Sequence, residues 1–253
     1  MEWILLLLVG LLAGTIGSIM GLGGGIIVVP ALLLLQSKLL ILSGITPQIA
    51  VGTSLFIMIF TGLSATISYI KQKQVDFKNS VFFLCGMIPG VLYGVTLNKT
   101  IDVDSFLTYF GLFIIGISFL FLLPRKNSEN AQTSAPRVNW IVAVLISFVV
   151  GTFSGLFGIG GGTIMVPAMI LLFHFSPHAA VATSMFMIIF TSLVGSISHL
   201  MLGNVHWLYA CVLIPGAWAG GKLGAFINKK LKNKTLVIML RIFLCVIGLR
   251  LII

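Results

Sequence analysis

Long apolar segments separated by short polar breaks run through the whole chain. The interval from Val138 to Gly221 contains no Asp, Glu, Lys or Arg over 84 positions, several times the ~20 apolar residues that a helix needs to cross a bilayer. Plain helical spans are predicted near 46–70, 79–97, 104–123, 177–199, 206–227 and 235–252. The pattern therefore predicts an all-α polytopic membrane protein in contact with the lipid bilayer.

Two blocks of sequence occur twice and in the same order. The segment from Gly14 matches the segment from Gly151 at 12 of 22 positions, and the segment from Thr46 matches that from Ser176 at 12 of 24 positions. Asn98-Lys99 and Asn228-Lys229 repeat as well. Internal repeats of this kind are common in transporter folds. We therefore predict an N-terminal repeat over 1–123, a polar cytoplasmic linker over 124–139 and a C-terminal repeat over 140–253.

The first block of each half is too long for one transmembrane helix. A continuous helix from Trp3 to Leu35 would reach about 50 Å, whereas the hydrocarbon core is ~30 Å thick, so a glycine cluster must break it. The block then either crosses once or forms a hairpin that returns to its own side. The positive-inside rule favours the hairpin, because ten basic residues then share the cytoplasmic face: Lys71, Lys73, Lys78, Arg125, Lys126, Arg137, Lys229, Lys230, Lys232 and Lys234.

With hairpins, only Lys38, Lys99 and Arg250 lie on the opposite face. The predicted fold is therefore two inverted repeats, each a glycine-broken helical hairpin plus three transmembrane helices. Both chain termini are then expected outside the cell.

Composition and charge narrow the class of function. The chain is 58% hydrophobic and 8% charged, whereas a soluble domain carries about a quarter charged residues. Its net charge of +10 comes mostly from Lys and Arg in the short loops, so we expect no nucleic-acid partner. No HExxH, GxSxG or buried carboxylate pair is present. We therefore predict no catalytic residues, no metal site and no cofactor, and the protein is not expected to be an enzyme.

The two glycine clusters carry the strongest indication of a binding site. Each has four glycines in five positions, followed by Pro30 or Pro167. Non-helical backbone survives in a membrane only inside protein or against a polar cavity, and the helix that resumes presents free N–H groups and partial positive charge to an anion. The alternative is close helix packing through GxxxG spacings. The predicted substrate-binding glycines are Gly21, Gly23, Gly24, Gly25, Gly158, Gly160, Gly161 and Gly162.

Hydroxyl and basic side chains in apolar segments are further candidates. Two Thr-Ser pairs lie in predicted spans, Thr53-Ser54 and Thr183-Ser184. These hydroxyls either bind an oxyanion or donate to the carbonyl four residues earlier, and the sequence leaves both possibilities open. Arg241 lies deep in a predicted span. It either attracts an anion electrostatically or extends towards the basic face.

Coupling to protons has few candidate residues. All five Asp and Glu residues lie at the ends of predicted spans or in loops, although proton-coupled transporters commonly carry an intramembrane carboxylate. Proton coupling would therefore need His178, His199 or His206, or else a proton carried by the substrate itself. We expect these histidines near the membrane interface.

The duplicated GxGGG-x4-P blocks and P-x5-TS segments resemble those of the TauE/SafE sulfite exporter family, also called TSUP. The resemblance covers nearly the whole chain, and the family's glycine-rich motif corresponds to Gly21–Gly25 and Gly158–Gly162. It implies a permease of the bacterial cell membrane whose substrate is sulfite or a related organosulfur anion. We expect export by alternating access. The alternatives are a transporter of another small anion or a membrane-embedded enzyme. The sequence does not indicate an oligomeric state.

Overall fold

A computed structural model describes residues 2–35, 45–99, 103–122 and 138–252. Over these residues the chain is entirely helical, with ten α-helices and no strand, which confirms the predicted all-α class. The helices in chain order are α1 Glu2–Met20, α2 Gly25–Leu35, α3 Pro47–Lys71, α4 Phe77–Asn98, α5 Val103–Leu122, α6 Trp140–Phe157, α7 Gly162–Leu171, α8 Pro177–Met201, α9 Trp207–Lys230 and α10 Asn233–Ile252.

Six of these helices are long and apolar enough to cross a membrane: α1, α3, α4, α6, α8 and α9. Local sequence sets where they begin. The Thr46 hydroxyl accepts a hydrogen bond from the Ile49 N–H, and Pro47 occupies the first position of α3. Ser176 and Pro177 start α8 in the same way, as expected because proline fits the first turn and a hydroxyl caps a free N–H. Of the predicted linker, only Val138 and Asn139 lie within the described residues.

The long first block of each half is broken where the glycines predict. Helix α1 ends at Met20 and α2 begins at Gly25, while α6 ends at Phe157 and α7 begins at Gly162. A Cβ added at Gly24 would lie 2.8 Å from the Ala13 carbonyl oxygen, whereas eleven residues of continuous helix would span ~16 Å. The chain therefore turns back on itself at the break, as a hairpin does.

Neighbouring helices come mostly from opposite halves of the chain. Helix α1 packs on α9, α6 packs on α4, α3 packs on α8, and α5 packs on α10. Glycines permit the closest of these approaches, since a side chain at Gly216 would collide with the Leu7 carbonyl oxygen and one at Gly90 with that of Phe148. The two halves are thus interlocked, with α3 and α8 in contact at the centre.

Candidate functional site

Both breaks depend on backbone conformations that only glycine adopts easily. Three glycines in each break have positive φ: 75°, 76° and 98° at Gly21, Gly23 and Gly24, and 70°, 68° and 80° at Gly158, Gly160 and Gly161. A residue with a Cβ would lose roughly 1–2 kcal/mol at each such position. The repeated motif therefore encodes one turn geometry, used twice.

The fourth glycine of each motif serves a different purpose, which is close backbone approach. A Cβ at Gly25 would collide with the carbonyl oxygen of Gly158, and a Cβ at Gly162 would collide with that of Gly21. The two breaks therefore pack directly against each other, backbone to backbone. For Gly25 and Gly162, packing explains the glycine, as the alternative interpretation of the motif proposed. All the predicted glycines are buried.

The paired breaks lie against the middles of the two central helices. Met58 and Ile188 occupy equivalent positions of the repeat, near the centres of α3 and α8. Both side chains border Gly23 of the first break and Gly160 of the second. Since α3 and α8 are long enough to cross a membrane, the breaks lie near mid-depth of these spans.

A pair of reciprocal hydrogen bonds joins each break to the opposite half. The Ser54 hydroxyl on α3 donates to the Gly158 carbonyl oxygen at 3.1 Å, and the Ser184 hydroxyl on α8 donates to that of Gly21 at 2.7 Å. Both serines are buried. The predicted serines therefore do meet the predicted glycines, but across the halves, and they bond these carbonyls and not the carbonyl four residues earlier in their own helix.

The neighbouring threonines contact a different part of the opposite half. The Thr53 hydroxyl oxygen accepts a hydrogen bond from the backbone N–H of His206 at 3.0 Å. The Thr183 hydroxyl oxygen accepts one from the backbone N–H of Asp76 at 3.0 Å. His206 and Asp76 directly precede α9 and α4. These hydroxyls thus fix the starts of two helices and do not bond the glycine carbonyls.

Sequence reasoning missed the side chains that cap the helix ends before each break. The Asn228 amide donates to the Ile19 carbonyl oxygen at 2.6 Å, and the Asn98 amide donates to that of Leu156 at 2.7 Å. Ile19 and Leu156 are equivalent positions near the ends of α1 and α6. The repeated Asn-Lys pairs were the clue in the sequence, because a buried amide kept in both halves needs a partner.

Two further polar residues satisfy carbonyls around the breaks. The Tyr69 hydroxyl donates to the Ser18 carbonyl oxygen at 2.8 Å, and the Thr191 hydroxyl donates to the Gly160 carbonyl oxygen at 3.2 Å.

Two of the candidate histidines also lie close to these elements. His199, equivalent to Tyr69, lies beside the Gly155 backbone and is fully buried in the protein. His178 contacts the Asn228 side-chain oxygen at 2.8 Å.

Comparison with known proteins identifies the family. A family model described as "Sulfite exporter TauE/SafE" matches residues 6–251. The chain belongs to the TauE/SafE family. It is 46% identical to "Probable membrane transporter protein YunE" of Bacillus subtilis (strain 168), over 100% of this chain and 98% of that protein. It is 30% identical to "Probable membrane transporter protein MJ0441" of Methanocaldococcus jannaschii, over 97% of this chain and 93% of that protein.

A third relative is "Probable membrane transporter protein YfcA" of Escherichia coli (strain K12), with 26% identity over 87% of this chain and 78% of that protein. No solved structure matches the chain significantly. Together with the six long apolar helices, these matches establish a multi-pass membrane transporter of the TauE/SafE family.

Side-chain hydrogen bonds engage several carbonyls at the breaks of this TauE/SafE transporter. The carbonyls of Ile19, Gly21, Leu156, Gly158 and Gly160 all accept side-chain bonds. By contrast, the first N–H groups of α2 and α7 precede the first carbonyl bond of their own helix. Donors without acceptors, at the positive end of a helix dipole, favour a negatively charged ligand.

Arg241 is not part of this arrangement. It lies on α10, which packs chiefly on α5, and none of the hydrogen bonds at the breaks involves it. Its Nε is buried and has no hydrogen-bond partner among the described residues. Lys222 on α9, which also lies within a predicted span, is exposed on the protein surface.

Proposed function

We propose that this transporter exports a small sulfur-containing oxyanion, sulfite or a related organosulfur anion, across the inner membrane of a bacterial cell. The anion binds between the two glycine breaks, where free N–H groups converge and the nearby carbonyls are engaged. The family model's description as a sulfite exporter supports this substrate class. The proposal includes no catalytic step, since transport moves the anion without breaking a bond.

The observation that carries the proposal is the pair of reciprocal bonds, Ser54 to Gly158 and Ser184 to Gly21. Each half closes the break of the other half, so a rocking motion between halves would open both bonds together. Such a motion exposes a site at mid-depth first to one side and then to the other. The serine hydroxyls released by the motion are then free to bind the anion.

This mechanism requires two inverted halves, residues 1–123 and 140–253, joined by a cytoplasmic linker at 124–139. Each half makes the same contacts to the other, as in the Asn98 and Asn228 bonds and the packing of α4 on α6 and of α9 on α1, and this supports the proposal. So does the distribution of Lys and Arg, which places both termini outside the cell under the positive-inside rule.

Membrane voltage can drive export without a coupling ion. With a negative cytoplasm, outward movement of one negative charge is favoured by about 2.3 kcal/mol per 100 mV. Within the six candidate spans there is no Asp or Glu, so the described core offers no carboxylate for proton coupling. Voltage is therefore the driving force that we propose.

The test is transport by purified protein in proteoliposomes, with sulfite, thiosulfate, sulfate and methanesulfonate measured in parallel. The double variant S54A/S184A removes both reciprocal bonds. We expect it to lower the initial rate at least about tenfold, because the anion loses two hydroxyl donors and a hydrogen bond to a charged group contributes about 1.5–3 kcal/mol. Leu substitutions at Gly24 and Gly161 would test the binding site less cleanly. Both residues have positive φ, so a side chain there would strain the backbone as well as the site.

A matched control is available on the same two helices. The Ser68 and Ser198 hydroxyls, also equivalent in the repeat, bond the carbonyls of Ser64 and Val194 four residues earlier. We expect S68A/S198A to transport within about twofold of wild type. If folded wild-type protein carried none of the four anions, or if the two double variants behaved alike, the proposal would be wrong.

A different small anion is the second candidate. The donors at the breaks recognise oxygen atoms and do not discriminate sulfur from carbon or nitrogen. The curated relatives are named only as probable membrane transporters. Acetate and nitrate added to the panel separate the two candidates, because a sulfur-specific transporter would carry neither.

A further inference from the structure

The two breaks differ in polar side chains, although their glycines are the same. In the alignment of the halves, Ser154 takes the place of Gly17 and Thr163 takes the place of Ile26. Both side chains of the second break are 1% exposed. Neither hydroxyl has a hydrogen-bond partner in the part of the chain that the structure describes. Native proteins seldom bury a hydroxyl in this way, so these two groups require an explanation.

Space is also distributed unequally between the breaks. In the first break, a Cβ at Gly17 would collide with the backbone nitrogen of Gly24, and one at Gly24 would lie 2.8 Å from the Ala13 carbonyl oxygen. The first break thus packs with its backbone directly against the backbone of α1.

The second break stands farther from its preceding helix. A Cβ at Gly161 would lie 3.5 Å from Val150 Cγ1 and 3.7 Å from Ser154 Cβ, which are ordinary contact distances. The close obstacle there is Met87 Cε on α4, the end of a flexible thioether side chain that rotates at little cost. The Ser154 Cβ therefore lies beside Gly161, where the atom closest to an added Cβ belongs to a movable side chain.

Thr163 approaches the same break from the other side. It lies in the first turn of α7, where side chains tilt towards the N-terminus of the helix. The first backbone bond of α7 runs from the Met165 N–H to the Gly161 carbonyl oxygen at 3.0 Å. The N–H groups of Gly162, Thr163 and Ile164 precede it and have no carbonyl partner within α7. Two hydroxyls and a helix N-terminus thus leave donors without acceptors at one break.

We propose that the transported oxyanion is held by the second break alone. The hydroxyls of Ser154 and Thr163 and the first N–H groups of α7 donate to its oxygens, and Met87 covers the site in the closed state. The first break contributes no hydroxyl at the positions aligned with Ser154 and Thr163, which are Gly17 and Ile26. This inference rests on the proposed function and narrows it from a symmetric site to an asymmetric one.

The test compares S154A, T163V and the double variant with wild type in the same proteoliposomes, with KM and kcat measured separately for sulfite. Protection against thermal unfolding by sulfite is measured on the full-length protein in detergent. We expect the double variant to raise KM at least about tenfold and to lose the protection. Its melting temperature without sulfite should be equal to or above that of wild type, because an unpartnered hydroxyl is removed.

Thr66→Val is the matched control. Its hydroxyl is also buried without a partner, but it lies eight residues beyond Met58 on α3, a distance of about 12 Å along the helix. We expect its KM to stay within about twofold of wild type.

A wild-type KM and undiminished protection in the double variant would overturn this inference while leaving the proposed function in place. Equal losses in T66V and in the double variant would overturn it as well. Absence of wild-type transport across the whole anion panel would reject the proposed function and this inference together. Transport by the wild-type protein therefore distinguishes failure of this inference from failure of the proposed function.

Discussion

The first and second glycine breaks share a motif and a turn geometry, but differ in their surroundings. At the first break, Gly17 and Gly24 bring backbone against backbone, and no hydroxyl aligned with Ser154 or Thr163 is present. At the second, the buried hydroxyls of Ser154 and Thr163 have no hydrogen-bond partner among the described residues, and Met87 lies against Gly161. The shared features determine how the halves interlock. The features that differ are therefore the place to look for substrate recognition.

The largest expected effects come from the contact that the two breaks have in common. G25A and G162A each place a Cβ against a carbonyl oxygen of the opposite break. Because that obstacle is backbone, each should lower the free energy of unfolding by about 3 kcal/mol. Thermal unfolding in detergent, with gel filtration to detect aggregation, measures the loss. G116A on α5 is the control, since an added Cβ there meets nothing within 4 Å.

Similar losses in G25A and G162A would support the common contact. If either variant were as stable as G116A, the backbone-to-backbone packing of the breaks would be wrong.

Smaller and unequal effects are expected where the breaks differ. Both G24A and G161A force an L residue to a positive φ, which costs about 1–2 kcal/mol. G24A also meets the Ala13 carbonyl oxygen, whereas G161A meets only the movable end of Met87. We therefore expect G24A to be less stable than G161A by about 1 kcal/mol or more. Thermal unfolding in detergent measures the stability of both variants. Equal stabilities of G24A and G161A would contradict the difference in space between the two breaks.

The third comparison concerns the asparagine caps. N98A and N228A each leave a helix-end carbonyl without its donor and should cost about 1–3 kcal/mol. N228A also removes one of the two oxygen atoms that the His178 ring contacts, Asn228 Oδ1, so we expect it to be the more damaging of the two. T96V serves as control, because the Thr96 hydroxyl bonds only its own helix at an exposed position. A harmless N228A would show that the caps do not hold the halves together.

Much of the fold could be predicted from local sequence rules. The predicted span 46–70 corresponds to Pro47–Lys71, and 177–199 to Pro177–Met201, because a capping residue followed by proline determines a helix start locally. The breaks were predictable for the same reason, since consecutive glycines weaken a helix wherever they occur.

The site could be predicted only in part, because its contacts are long-range. Ser54 bonds a carbonyl 104 residues away, and the alignment of two repeats gives no distance between them. Thr53 and Ser54 are neighbours in sequence with different partners, the His206 backbone N–H in one case and the Gly158 carbonyl of the second break in the other. The alignment of the halves contains Ser154 and Thr163 as positions where the halves differ. Only positions where the halves are identical, the glycines above all, indicated a site in the sequence.

The most direct test of the account is voltage-driven export by the two-break site. Proteoliposomes are loaded with the anion of the panel that wild type carries fastest, and its release is followed with the interior at zero potential and at about −100 mV. For a monovalent anion we expect the final outside-to-inside ratio to rise about fiftyfold at the negative potential, which corresponds to about 2.3 kcal/mol. S54A/S184A should show at most about a tenth of the wild-type initial rate. Release that ignores the potential, or a wild-type rate in S54A/S184A, would contradict the account.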